Sequence, residues 1–164
     1  MRVVILWSIL SVLQAVAMLG DELVHHRRRG LPRWERLSHP LDAALWIVAL
    51  CWLRFVPPAP DAAWAYVVLL VVSSLSITKD EWVHARVCGG AQQWLHSILF
   101  MLHPVLLIIG GAPGWGLWGV AHSAGAAGEL ARGVLGAQIG VSAAFSLYQV
   151  GYWRRVDLGQ LRNQ

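Results

Sequence analysis

The chain has 164 residues, 57% of them hydrophobic and 13% charged, with a mean hydropathy of +0.53 and a net charge of +4. Soluble domains carry about 25% charged residues, and so little polar sequence cannot cover the surface of a soluble domain this size. The arginines flank apolar runs instead of forming a basic domain, so nucleic acid is excluded as a partner and anionic lipid headgroups are the surface they match.

In chain order, apolar runs cover 3–20, 41–56, 62–78, 94–112 and 134–153. Each approaches the ~20 residues a bilayer-crossing helix needs, the second and third being slightly short. The expected fold is all-α: a polytopic membrane bundle in one domain, 1–164, surrounded by lipid. Arg2 and Ala15-Val16-Ala17 give the first run some features of a secretory signal. It continues to Gly20 and leads into a motif that recurs, so it is read as a retained anchor. Pro57, Pro58 and Pro60 end the second run. Between the fourth and fifth runs, the Gly-rich 110–128 stretch of the 110–133 segment is apolar enough to lie on the membrane or dip into it. Ten Trp and sixteen Gly also suit a bilayer, as interfacial anchors and as points of close helix approach.

Arginine counting sets the orientation. Arg27, Arg28, Arg29, Arg33 and Arg36 follow the first run, Lys79 and Arg86 the third, and Arg154, Arg155 and Arg162 the last. The positive-inside rule then places the N-terminus outside and the C-terminus in the cytoplasm, as in a bacterial-type inner membrane. Cys51 falls in a span and Cys88 in a cytoplasmic loop, so no disulfide is expected.

The most informative feature is an internal repeat. Asp21-Glu22-Leu23-Val24-His25-His26-Arg27 recurs as Asp80-Glu81-Trp82-Val83-His84-Ala85-Arg86, with five of seven positions identical. Each copy closes an apolar run, and each is followed by a polar residue and a histidine leading into the next: Glu35 and His39, then Gln92 and His96. The chain therefore reads as two helical hairpins of one design, 1–58 and 62–112, plus a fifth C-terminal span at 134–153.

Glu22 with His25, and Glu81 with His84, stand at i and i+3, where two side chains on one helix face can grip one ion. Two such helices, with His39 and His96 from their partners, predict a metal site of Glu22, His25, His39, Glu81, His84 and His96 near the cytoplasmic leaflet. Asp21, Asp80 and Glu35 would orient the ligands or serve as alternative ligands, and Gln92 would orient them or join a proton path. Asp42 and His103 continue the same faces into the bilayer, as a pair hydrogen-bonded to each other, as ligands, or as a short proton path. His26 points about 100° away from His25 on an α-helix and is read as interfacial. Cys88, four residues past His84, is read as a reduced loop thiol and Cys51 as a small core residue. His122 has no acid nearby to complete a hydrolytic triad, and no phosphate-binding Gly loop is present.

The paired ExxH motifs and the four-helix count resemble the ferritin-like di-iron carboxylate proteins. The histidine-rich shell is similar, more distantly, to that of membrane desaturases and hydroxylases, although only His25-His26 form an adjacent His pair. The first resemblance implies two metal ions, with iron favoured and zinc or manganese as alternatives. Together they imply an oxidoreductase, hydroxylase- or desaturase-like, acting on a lipid or other hydrophobic small molecule, with a redox partner or a second copy of the chain as associates. The same residues leave open a haem-binding electron-transfer subunit, a metal or proton transporter, a zinc-dependent lipid hydrolase, and an accessory protein whose polar cluster only fixes helix pairing.

Overall fold

The computed structural model describes residues 1–162, and their side chains except those of Arg29, Arg33, Asp80, Val83, His84, Val87 and 157–162. The described residues are helical and contain no strand. Helix α1 (Arg2–Gly20) runs on without a break as a π-helical segment, Asp21–His26, and a last α turn, α2 (Arg27–Arg29). A reversal at Gly30, whose φ of 81° suits a residue lacking Cβ, leads through Pro32 into α3 (Arg33–Phe55). Helix α4 (Pro60–Ser76) starts on a proline in its first turn and ends in a 3-10 turn, Ile77–Asp80. Then follow α5 (Glu81–Val87), α6 (Gly90–Gly111), the short α7 (Leu117–Ala121) and α8 (Ala126–Arg162).

Four stretches are long and apolar enough to cross a membrane: Arg2–His26, Pro60–Lys79, Gly90–Gly111 and Ala126–Val156. The expected second span lies within α3, which begins earlier, in a polar half carrying Glu35, His39 and Asp42. That charge is why α3 does not match the other four as a purely apolar span. The last span also starts earlier than expected, because α8 takes up the end of the 110–133 segment. The remainder of that segment forms α7, whose Leu117, Trp118 and Ala121 are buried against its neighbours. Outward faces of the long helices are apolar, with Val12 and Val16 each 62% exposed and Met101 69%. Apolar surface on that scale is consistent with a lipid environment.

Cross-helix bonds give the relative directions. At one end Trp7 Nε1 donates to the Leu106 carbonyl at 3.0 Å and Tyr66 Oη to the Leu107 carbonyl at 2.7 Å. Trp118 Nε1 donates to the Val56 carbonyl there at 2.7 Å, and the Arg54 guanidinium donates to the Arg132 carbonyl. At the other end Asp21 meets His96, and Glu22 meets Gln149. Helices α1, α4 and α8 therefore run one way, and α3 and α6 run against them. Val4, Trp7, Leu50, Leu53, Leu106, Leu107 and Leu135 form an apolar core toward the first end. Asp21, Glu22, Glu35, His26, His39 and His96 gather at the second, while Asp61, His122 and Glu129 lie toward the first.

Close approach at the apolar end depends on glycine. A Cβ on Gly111 would overlap the Tyr66 ring, whose hydroxyl is committed to the Leu107 carbonyl. Gly111→Ala is expected to displace that ring and cost about 1–3 kcal/mol, read as a lower unfolding midpoint in detergent, whereas an unchanged midpoint would show that the ring yields freely.

Candidate metal centre

The polar end is organised by the π-helical segment. On a regular α-helix, residues five apart point about 140° from each other. The i→i+5 ladder of a π-helix brings them onto one face. Asp21 and His26 consequently meet, with His26 Nε2 3.1 Å from Asp21 Oδ2. The other ring nitrogen, Nδ1, lies 3.3 Å from Glu22 Oε2. His26 is 1% exposed and Glu22 1%, so this acid–imidazole–acid sandwich lies inside the bundle.

Helix α6 supplies the next contacts. His96 Nε2 is 2.9 Å from Asp21 Oδ2, and Gln92 Nε2 donates to Asp21 Oδ1 at 2.9 Å. Helix α3 contributes His39, whose ring centroid is 5.1 Å from that of His26, and the fully buried Glu35. His39 lies ahead of the apolar part of α3. Burial, reinforced by the neighbouring His26, pushes it down to about 4 and leaves it neutral near pH 7, with a lone pair on its ring. Helix α8 closes the cluster: Gln149 Nε2 donates to Glu22 Oε2 at 3.0 Å, and Tyr148 Oη stands 3.5 Å from Glu22 Oε1. Arg27 donates to that phenol at 2.7 Å and covers the Tyr152 ring.

Two sets of potential ligand atoms result, Asp21 with His26 and His96, and His26 with Glu35 and His39, each set lying within 4.8 Å. In the first set both imidazole Nε2 atoms converge on one carboxylate oxygen, at 2.9 and 3.1 Å. These are hydrogen-bond spacings, and they also fall near the roughly 3–3.5 Å that separates two atoms sharing an ion at 2.0–2.2 Å. His26 Nε2 also lacks hydrogen-bond geometry toward any partner among the described residues. Glu22 on Nδ1 has the place of the outer carboxylate that orients a metal-binding histidine.

Of the residues expected from the sequence, the structure gathers Asp21, Glu22, Glu35, His39, Gln92 and His96 at one point. His25 joins neither ligand set, and Glu22 contacts His26 instead of pairing with His25. Glu81 is exposed, while the side chains of Asp80 and His84 lie outside the described residues. Asp42 bonds Lys79 Nζ at 2.7 Å and accepts from Ser76 Oγ at 2.5 Å; His103 meets Ser73 Oγ at 2.8 Å and the Trp46 ring at 4.8 Å. Both residues thus tie to α4 and not to each other. Sequence reasoning placed His26 at the interface and named no site residue on the last helix, missing His26, Tyr148 and Gln149. The available signal was that His26 is one of the two positions at which the motif copies differ, Ala85 standing in the second.

A cavity of about 380 Å³ adjoins the cluster, with Asp21, His26, His39 and His96 in its wall. Its sides are mainly apolar, including Met18, Trp46, Phe100 and Phe145. Comparison with protein-family models, curated proteins and solved structures finds no match to this chain.

The two motif copies differ measurably in what they hold. Glu22→Ala, which strips partners from His26 and Gln149 inside the bundle, is expected to cost about 2–3 kcal/mol. The equivalent Glu81→Ala should stay within about 0.5 kcal/mol, as exposed sites do. Denaturant unfolding of both variants in one detergent checks this, and equal losses would contradict the asymmetry.

Proposed function

We propose that this chain is an integral membrane metalloenzyme that acts on a hydrophobic small molecule, with the ion held by Asp21, His26 and His96. The convergence of two imidazole nitrogens on one Asp21 oxygen, at the mouth of an apolar chamber, carries this reading. Two histidines and one carboxylate form the donor set used by non-haem iron, and the absence of thiolate from the cluster favours iron, manganese or zinc over softer metals. Iron is our first assignment, and with it an oxidoreductase of hydroxylase or desaturase type. Bound iron would supply one-electron chemistry. The chain's part is to hold the ligands, orient His26 through Glu22, and seat the substrate in a site walled off from water.

The second ligand set shares His26, whose Nδ1 is occupied by Glu22. One ion is therefore favoured over the two implied by the repeat, with Glu35 and His39 as further ligands or orienting groups. Haem is the less favoured reading, because axial haem ligands need no carboxylate beside them, whereas Asp21 and Glu22 both stand against His26. We place the cluster at the cytoplasmic leaflet, since Arg27, Arg28, Arg36, Arg154 and Arg155 belong to that end of the chain.

Elemental analysis of detergent-purified protein tests the site. Wild type and His25→Ala should carry stoichiometric metal with no Soret band, and His26→Ala and His96→Ala should fall to background. Metal retained by both of the latter variants, or a wild type that stays empty after reconstitution with ferrous iron and zinc, would overturn the assignment. Zinc in place of iron would redirect it to a zinc-dependent lipid hydrolase.

A further inference from the structure

The chamber beside the cluster has a second polar tier. On α1, Gln14 stands seven residues from Asp21; on α6, His103 stands seven from His96; on α8, Ser142 stands seven from Gln149. All six line the same cavity. Seven residues are two helical turns, or about 10 Å of rise, so the three helices carry polar groups at the same two depths. Met18, Phe100 and Phe145 occupy the levels between. Gln14 is only 5% exposed, and its amide oxygen has no hydrogen-bond partner among the described residues. Leaving such a group unmet inside a protein is unfavourable, and a ligand group arriving at that depth would satisfy it. Leu19 and Val141, on α1 and α8, also line the cavity while remaining 46% and 56% exposed. The chamber therefore opens sideways between these two helices, toward surrounding lipid.

We propose that the chamber binds an extended aliphatic molecule with a polar group at each end: one at the Asp21–His26–His96 cluster, the other a hydroxyl held by Gln14 with Ser142 and His103. A hydroxyl both donates and accepts, which suits an amide, a hydroxyl and an imidazole whose ring is steadied by Ser73 and Trp46. An apolar middle of about two helical turns matches the aromatic and Met belt between the tiers. This inference deepens the proposed enzyme by naming its substrate class, and it rests on that reading for which end presents the reacting group.

Octane-1,8-diol and octan-1-ol are suitable probes, because an extended eight-carbon chain separates its terminal oxygens by about the distance between the tiers. Equilibrium dialysis of the labelled probes against the full chain in nanodiscs, with empty nanodiscs subtracted and metal content measured in parallel, reads both affinities. Gln14→Leu is expected to weaken the diol about three- to tenfold, the worth of one hydrogen bond, and to leave octan-1-ol unchanged or tighter. Ser142→Ala, a smaller change, should weaken the diol in the same selective way if Gln14→Leu fails to fold. Equal effects on the two probes, or none, would overturn the proposal, as would a metal-loaded wild type that binds neither; that last result leaves the metal site standing. Selective diol binding by a chain that holds no metal would sink the metal reading and keep the two-tier chamber.

Discussion

The π-helical turn at the end of α1 is the constraint on which the polar end of this protein depends. It adds one residue to the helical register, and that residue rotates Asp21 and His26 onto a common face with Glu22 alongside. Two carboxylates and an imidazole withdrawn from water are costly unless each finds partners. The partners come from everywhere in the chain: Gln92 and His96 from α6, Glu35 and His39 from α3, and Gln149 from α8. A single local distortion thus determines which faces of three other helices must turn inward.

The opposite end is held by different means. In a lipid environment helices gain little from the hydrophobic effect when they associate, so close contact and hydrogen bonds would have to bind them. Trp7, Tyr66 and Trp118 each insert a ring between helices and direct its one donor at a backbone carbonyl of a neighbour. Large residues at one end and a polar cluster at the other leave the space between them unfilled. That space is the chamber, which adjoins the candidate metal site along mainly apolar walls. Asp42 and His103 border it, yet each is tied to α4 through Ser76, Lys79 or Ser73. The otherwise apolar α4 is thereby fastened to the polar half of the bundle.

The repeat illustrates how far a sequence pattern reaches. It located the first motif and both following histidines, and it paired His39 with His96 as groups entering the site. It also invited the assumption that equivalent positions do equivalent work. The first copy continues its helix through a π turn, while the second breaks into a 3-10 turn and the separate α5, leaving Glu81 exposed. His26, at the centre of the site, lies at one of the positions the copies do not share. A comparison that weighs only identities passes over such a residue.

The sequence by itself determined what composition and period can encode: an all-helical chain, helices of bilayer length and hydropathy, and a concentration of acids and histidines at one end of them. Only the tertiary structure decided which of those acids and histidines meet. The physical reason is angular. One residue of helical register turns a side chain by about 100°, and neither composition nor hydrophobic period records whether a helix takes that extra residue as a π turn. Hydropathy is summed over twenty residues and survives such a shift; a ligand set defined by three atoms does not.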